Sequence, residues 1–273
     1  MINHQKTWDN YHKLAEFRGE FVAETIVQFT KIKNKDVLDI GCGDGGTSLK
    51  LTQLGAQVTA IDIRPDIFDK FKNTGVKFIH GSVEHFSFKK EKFDIIILQD
   101  VLEHIPHPET TIQKCKSILS ETGIIYISTP NRLSLLNVFG DPHWSLPFVS
   151  LLSRKWVRLF VKDIFRKDRR QREDWAALLS LFKLRKLLNR NQFEMIFVNS
   201  LAVKYLFEKP ESIVCKSSHI KLIIWMQQTG FDQWIKKIVN DKFGIFNYFV
   251  NPTWYVVVLH KGQKNTEFKI RTF

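Results

Sequence analysis

The chain of 273 residues holds only three cysteines, Cys42, Cys115 and Cys215, with neither C-x-x-C spacing nor an even number to pair. That excludes a disulfide framework and suits a reducing cytoplasm. No uninterrupted apolar run reaches the roughly 18 residues that a membrane-spanning helix needs. The first residues, MINHQKTWDN, lack the basic-then-apolar order of a secretory signal, so a cytoplasmic location is expected. Internal repeats and low-complexity linkers are missing as well, which favours one domain over residues 1–273. Acidic residues are scarce in one half only. Residues 131–273 carry 11 Asp and Glu against 25 Lys and Arg, a net of +14, whereas residues 1–130 carry 17 against 16, a net of −1.

What is present in the first half is a strand–helix alternation. DVLDI (36–40), QVTAID (57–62), VKFIHG (76–81), KFDIIILQD (92–100) and GIIYISTP (123–130) read as strands. Asp44 to Leu54 and Pro65 to Lys72 read as helices, and Pro108 to Leu119 as a helix closed by a turn at Gly123. Continuous Ile, Val and Leu runs mean strands buried on both faces, hence a parallel sheet covered by helices. Later come an amphipathic segment at 146–170, a helix from Asp174 to Asn189, and strands at 193–198 and 253–261. Residues 201–250 read as mostly helical. The expected fold is α/β, a doubly wound, mostly parallel seven-stranded sheet with helical insertions after strands five and six.

The stretch VLDIGCGDGGTSLK contains G-x-G-x-x-G at Gly41, Gly43 and Gly46, with Asp62 lying 21 residues beyond Gly41. This pattern belongs to loops that hold an adenosine-containing cofactor at a helix N-terminus. A phosphate-binding loop is excluded, because Thr47 stands where a lysine is required. Asp39 and Asp44 flank the glycines and would repel a pyrophosphate, but they suit a ligand bearing positive charge. S-adenosylmethionine has that charge in its sulfonium and ammonium, and its ribose diol can donate to Asp62. Asp44 has a second reading, as a helix N-cap. Cys42 reads as a small filler in the loop.

Four segments, VLDIGCGDG, VTAIDIRPD, FIHGSVEHFSF and FDIIILQDVLEHIPHPETTIQKCKSILSETGIIYISTPN, resemble in order the class I, Rossmann-like S-adenosylmethionine-dependent methyltransferases. The likeness runs from about Lys35 to Arg132 and more weakly through residues 182–198. Its flavour is that of the ubiquinone and menaquinone methyltransferases and of cell-surface sugar or lipid methyltransferases. The resemblance implies that Asp39, Gly41 and Gly43 hold the methionine part, with Asp44 beside them. It implies that Asp62 holds the ribose and Ile63 packs on the adenine. Ser82 stands where the family often has an aspartate, while Val83 offers its backbone to the adenine. Gln99 should sit beside the methyl-bearing end. Residues 1–30 would form a lid, with Trp8 and Tyr11 closing over the site and Arg18 meeting the cofactor carboxylate. Residues 31–130 would be the cofactor half, and 130–192 with 199–252 the acceptor side.

Methyl transfer to oxygen requires alignment and, for a hydroxyl acceptor, a base with a pKa near the working pH. His104 and His143 are the candidates, with His107 a weaker one; each also has a purely structural reading. Glu103 and His104 alone lack a third partner, so no metal site is expected. Arg154, Arg158, Lys162 and Arg166 recur at four-residue spacing opposite Val149, Leu152, Trp156, Phe160 and Ile164. Such a segment, 146–172, either docks on an anionic membrane surface or packs with its charges solvated. The expected partner is a small-molecule, sugar or lipid-linked acceptor, and nucleic acid is disfavoured because the cofactor half is not basic. The rivals are an RNA or protein methyltransferase using the basic half, and a non-catalytic S-adenosylmethionine-binding protein.

Overall fold

A computed structural model describes residues 15, 17–88, 91–159, 161, 176–210, 213 and 217–263. Among these, seven strands form one sheet: β1 (Asp36–Ile40), β2 (Gln57–Asp62), β3 (Lys77–His80), β4 (Phe93–Gln99), β5 (Leu119–Pro130), β6 (Phe193–Phe197) and β7 (Thr253–His260). Their order is β3-β2-β1-β4-β5-β7-β6. The first five are parallel, and β7 runs antiparallel between β5 and β6. The expected doubly wound sheet is therefore present.

The apolar runs explain why the strands lie centrally. Along β4, Ile95 and Ile97 face one core and Ile96 and Leu98 the other. The same alternation holds in β5, where Ile124 and Tyr126 oppose Ile125 and Ile127. One core is covered by helices α1 (17–26), α2 (Gly46–Gln53) and α6 (Asn199–Glu208), through Phe21, Val22, Leu51, Leu201 and Tyr205. The other is covered by α3 (Pro108–Ile118) and α5 (Leu181–Arg190), through Ile112, Cys115, Leu184 and Leu188. Each fully buried side chain of this size contributes about 1.5–3 kcal/mol relative to exposure, so a strand buried on both faces is fixed in register.

Both insertions occupy the expected places. After β5 come α4 (Leu135–Phe139) and a small satellite core of Trp144, Val149, Val157 and Val161. After β6 come α6, α7 (Ser217–Gln228) and α8 (Phe231–Ile238). A buried amide network joins the two insertions where β5 ends and β7 begins. Asn131 Nδ2 donates to the carbonyls of Tyr248 and Asn251 at 3.1 and 2.9 Å, and Asn137 Nδ2 donates to that of Pro252 at 2.7 Å.

Several expected elements differ. Of the helix expected over 174–189, Asp174 lies outside the described residues and residues 176–180 are not helical. The helix runs from Leu181, where Ser180 caps it by accepting from the Lys183 N–H, while Leu179 bridges to Asn131. Gly123 is not a turn closing α3; it lies inside β5, next to the register shift between Phe93 and Ile95. The segment 146–170 is not one continuous helix. A turn at Val149–Leu151 ends before Ser153, whose extended backbone starts a new turn at Arg154. Trp8, Tyr11, Phe160, Lys162, Ile164, Arg166 and Cys215 lie outside the described residues.

The strand ends that matter most are those of β1, β2 and β4, which finish level at one edge of the sheet. There Gly41 takes a positive φ of 66°, and a Cβ on it would meet Val101 Cγ2 at 2.6 Å. Left-handed backbone and overpacking each cost about 1–3 kcal/mol. Gly41→Ala should therefore lower the unfolding free energy in urea by about 2–4 kcal/mol. A loss under about 0.5 kcal/mol would show that the loop shifts freely and that the stated geometry does not hold it.

Candidate active site

Parallel pairing sets Ile40 opposite Ile61 and so places the loop after β1 beside the tip of β2. The Gly41 N–H donates to the Ile61 carbonyl at 2.8 Å. Asp62 then fastens the loop: Oδ2 accepts from the Gly43 N–H at 2.9 Å and Oδ1 from the Arg64 N–H at 2.9 Å. Gly43 also has a positive φ, 53°, but the nearest atom to an added Cβ is 4.0 Å away. Gly41 is thus enclosed by Val101, while Gly43 borders an open cradle.

Asp39 is 2% exposed and accepts from Ser48 Oγ at 2.6 Å. Burial pushes its carboxyl from 3.8 up to about 7; the Ser48 hydrogen bond opposes this and the nearby Asp62 adds to it. Burial, with Asp39 and Asp62 adding, also pushes the Cys42 thiol up and keeps it protonated, in keeping with a filler. Asp44 is not the N-cap of α2. Gly45 holds that position, and Asp44 Oδ1 lies 2.6 Å from Lys70 Nζ and 3.8 Å from Arg64 Nη2.

A second group closes the loop from the β4 side. Arg18 of α1 pairs with Asp100, which has a positive φ of 55° and accepts from Ser128 Oγ at 2.8 Å. With its amide oxygen toward Arg18, Gln99 accepts from Nε at 3.1 Å and Nη2 at 3.2 Å, and its nitrogen meets Thr47 Oγ1 at 2.7 Å. The Arg18 guanidinium holds the Asp100 carboxyl below the usual range against the opposing effect of burial, with Ser128 helping. Asp100 and Thr47 were not singled out by the sequence, although a non-glycine residue in the left-handed region often marks a functional turn.

Two adjoining hollows result. A small one of about 50 Å³ is lined by Arg18, Asp39, Gly41, Gly43, Asp44 and Gln99. A larger cleft of about 660 Å³ runs from Asp62, Ile63, Ser82 and Val83 to His104, Ile105 and Arg154. Gly41 borders both. Ile63 is 71% exposed, an apolar side chain presented to the cleft, and its carbonyl is within 3.0 Å of His80 Nε2. Ser82 Oγ accepts from the Glu84 N–H at 3.2 Å, and Val83 is buried.

At the far end His104 and His143 meet edge to face, their rings 5.0 Å apart at 78°. Glu103 is fully buried and accepts from Thr129 Oγ1 at 2.8 Å. Burial, reinforced by Asp100, pushes its carboxyl from 4.5 up to about 7. His107 stands apart, exposed at the start of α3. Arg154, expected on a solvated basic face, instead donates to the carbonyls of Glu103 and Ile105 at 2.7 and 3.0 Å. The turn after β4 presents those carbonyls toward it, and a guanidinium satisfies both at once.

A profile of the methyltransferase domain matches residues 14–198, well over half of the chain. The chain belongs to the methyltransferase-domain family. The ubiquinone biosynthesis O-methyltransferase of Glaesserella parasuis serovar 5 is 41% identical over 109 residues, 36% of this chain and 46% of that protein. The corresponding protein of Hydrogenovibrio crunogenus is 32% identical over 128 residues, 44% of this chain and 52% of that protein. The chain thus spans about half the length of the curated relatives it matches. The plantazolicin methyltransferase BamL, solved with S-adenosylhomocysteine and a desmethyl-plantazolicin analogue, superposes with a TM-score of 0.57 at 16% identity, covering 96% of this chain and 91% of that one. At that identity the likeness is one of fold, that of the class I methyltransferases.

The cofactor of this methyltransferase family is S-adenosylmethionine, and the chemistry of the two hollows fits it. The small hollow offers both signs of charge, Arg18 and Asp39, as an α-amino acid requires. The open space beyond Gly43 is a cradle that any side chain there would fill, and the larger cleft pairs a carboxylate, Asp62, with the apolar Ile63. Asp39, Gly41, Gly43, Asp44 and Gln99 come together at the first hollow, and Asp62, Ile63, Ser82 and Val83 at the second.

Two outcomes follow for this chain. Asp62→Ala removes the acceptor of two loop N–H groups, so it should lower stability by about 1–3 kcal/mol as well as weaken S-adenosylhomocysteine binding at least ~10-fold. Unchanged affinity by calorimetry would remove Asp62 from the site. Asp39 must ionise to receive an ammonium group. Affinity should therefore rise with pH up to about 7 and level off above it. The folded state itself binds the extra proton between 3.8 and about 7, so the same group makes stability fall as pH rises across that window. A flat affinity profile for the wild type, indistinguishable from that of Asp39→Asn, would contradict the assignment.

Proposed function

We propose that the protein transfers the methyl group of S-adenosylmethionine to an oxygen of a small, partly apolar acceptor, with the His104 and His143 pair facing that oxygen. The observation that carries the reading is the shared cleft: His104 lines the same hollow as Asp62 and Ile63. The cofactor, when bound, supplies a methyl group on an already activated sulfur, so the protein's task is alignment, worth up to about 7–11 kcal/mol. Arg18 and Asp39 orient the amino-acid end, Asp62 the ribose, and Ile63 the base. The likeness to O-methyltransferases over the cofactor half supports oxygen as the acceptor atom.

The acceptor side comes from the insertion after β5. It carries His143 and also presents Leu135, Leu136, Phe139 and Phe148, each more than half exposed. Apolar surface of this kind beside a polar pair suits a molecule with a reactive hydroxyl and a greasy remainder, including a lipid-linked one. Contact with an anionic membrane surface belongs to this reading. However, it can no longer use Arg154, which is committed to the turn after β4.

Incubating the protein with labelled S-adenosylmethionine and fractionated cell extract tests the proposal. Label should enter a small-molecule or lipid fraction in an alkali-stable ether, and His104→Ala should cut the rate at least ~100-fold while leaving cofactor affinity within about twofold. Label confined to RNA or protein would refute the acceptor class, and no transfer to any fraction would favour a binding protein without turnover.

A further inference from the structure

We propose that Glu103, His104 and His143 form a binding site for one divalent first-row transition-metal ion at the acceptor end of the cleft. The inference deepens the methyl-transfer reading and rests on it for the ion's role alone. The sequence suggested no such site, because Glu103 and His104 are neighbours without a third ligand. Folding supplies the third: His143, from the insertion after β5, is brought against the turn that follows β4. Each of the three residues offers one ligand atom, and those atoms lie within 4.8 Å of one another. The distance from His104 Nε2 to Glu103 Oε1 is 4.0 Å.

Ligands held about 2.1 Å from an ion stand roughly 3–3.4 Å apart. The site is therefore open by about 1–1.5 Å, and binding an ion requires the side chains to draw inward by that amount.

Glu103 gives an independent reason to place a cation here. Its side chain is fully buried, and Thr129 satisfies Oε2 alone. Oε1, on the side of His104, has no hydrogen-bond donor among the described residues. A buried carboxylate oxygen left without a partner is destabilising by about 1–3 kcal/mol or more, and native proteins rarely keep one without a reason. A bound ion is such a reason.

Supporting contacts of the kind metal sites use are also in place. Thr129 fixes the carboxylate plane. The Asp141 carboxylate accepts from the backbone N–H groups of His143 and Trp144 at 2.9 Å each, which fixes the turn that carries His143. Arg154 braces the turn that carries Glu103 and His104.

The donor set decides the class of ion. Two imidazoles and one carboxylate, with further positions open, suit Zn²⁺, Fe²⁺, Mn²⁺ or Co²⁺; Mg²⁺ and Ca²⁺ favour all-oxygen surroundings. His104 also lines the cleft, so a site built on it adjoins the acceptor space. An ion there would favour the deprotonated form of an acceptor hydroxyl, its proton passing to solvent. The O–CH₃ bond then forms as the S–CH₃ bond breaks, and the electron pair of the broken bond stays on sulfur.

The test is metal binding itself. The full chain is stripped with a chelator and titrated with Zn²⁺ by calorimetry and with Co²⁺ by its visible absorption. One equivalent should bind with about micromolar affinity or better, and Glu103→Gln and His143→Asn should each weaken it at least ~10-fold. His107→Ala should bind as the wild type does. S-adenosylhomocysteine binding is measured on every sample. Protein that still binds it but takes up no metal overturns this site and leaves the methyl-transfer reading standing. Metal uptake without cofactor binding supports the site and sinks the other reading. Uptake unchanged in both variants, or reduced as much by His107→Ala, also overturns it.

Discussion

Everything in the site depends on one carboxylate at the end of one strand. Asp62 is 8% exposed and accepts two backbone N–H groups, one from the glycine loop after β1 and one from its own turn. Parallel pairing of β1 with β2 brings the two strand ends level, and the positive φ at Gly43 belongs to the turn that delivers its N–H to Asp62. A shift of one residue in that register would turn every apolar side chain of β1 to the other face. The hydrophobic cores therefore hold the carboxylate in place, and the carboxylate holds the loop.

Charge then selects the ligand. Asp39, Asp62 and Asp100 surround the loop, balanced nearby by Arg18, which is already engaged with Asp100 and Gln99. Burial raises the Asp39 carboxyl to about 7, so a cation arriving there favours its ionised form and must first displace the proton below that pH. A diphosphate would meet three carboxylates at close range. A zwitterionic amino acid joined to an adenosine would meet one carboxylate, one guanidinium and an apolar platform, a set that suits it better than a diphosphate. At the opposite end of the cleft the polarity changes again, where His104 and the buried Glu103 of the turn after β4 meet His143 of the insertion after β5.

Much of this was legible in the sequence, for identifiable reasons. Strands such as IIIL (95–98) are buried on both faces, so their composition alone shows them, and β1 and β2 occupy the segments expected for them, 36–40 and 57–62. The glycines and Asp62 were readable because few residue types tolerate those positions. The cap of α2 falls on Gly45, one residue past Asp44, whose carboxylate instead meets Lys70 and Arg64 from a distant turn that has no local signature. The fate of Arg154 was hidden for a deeper reason. A basic residue at helical spacing reads as surface until a distant turn presents carbonyls to it. Likewise, the meeting of His143 with Glu103 and His104 and the asparagine network at the β5–β7 junction are products of tertiary folding and have no local signature. Asp100 is intermediate: its type was visible, but its left-handed backbone was not.

The preference of the glycine loop among adenosine ligands is the property on which its carboxylates act most directly. Calorimetric titration of the wild-type protein with S-adenosylhomocysteine and, separately, with NAD⁺ decides it directly. Saturable one-to-one binding of S-adenosylhomocysteine with no detectable heat from NAD⁺ is the expected result. Binding of NAD⁺ with indifference to S-adenosylhomocysteine would contradict the claim that the carboxylates of this loop select a cationic cofactor.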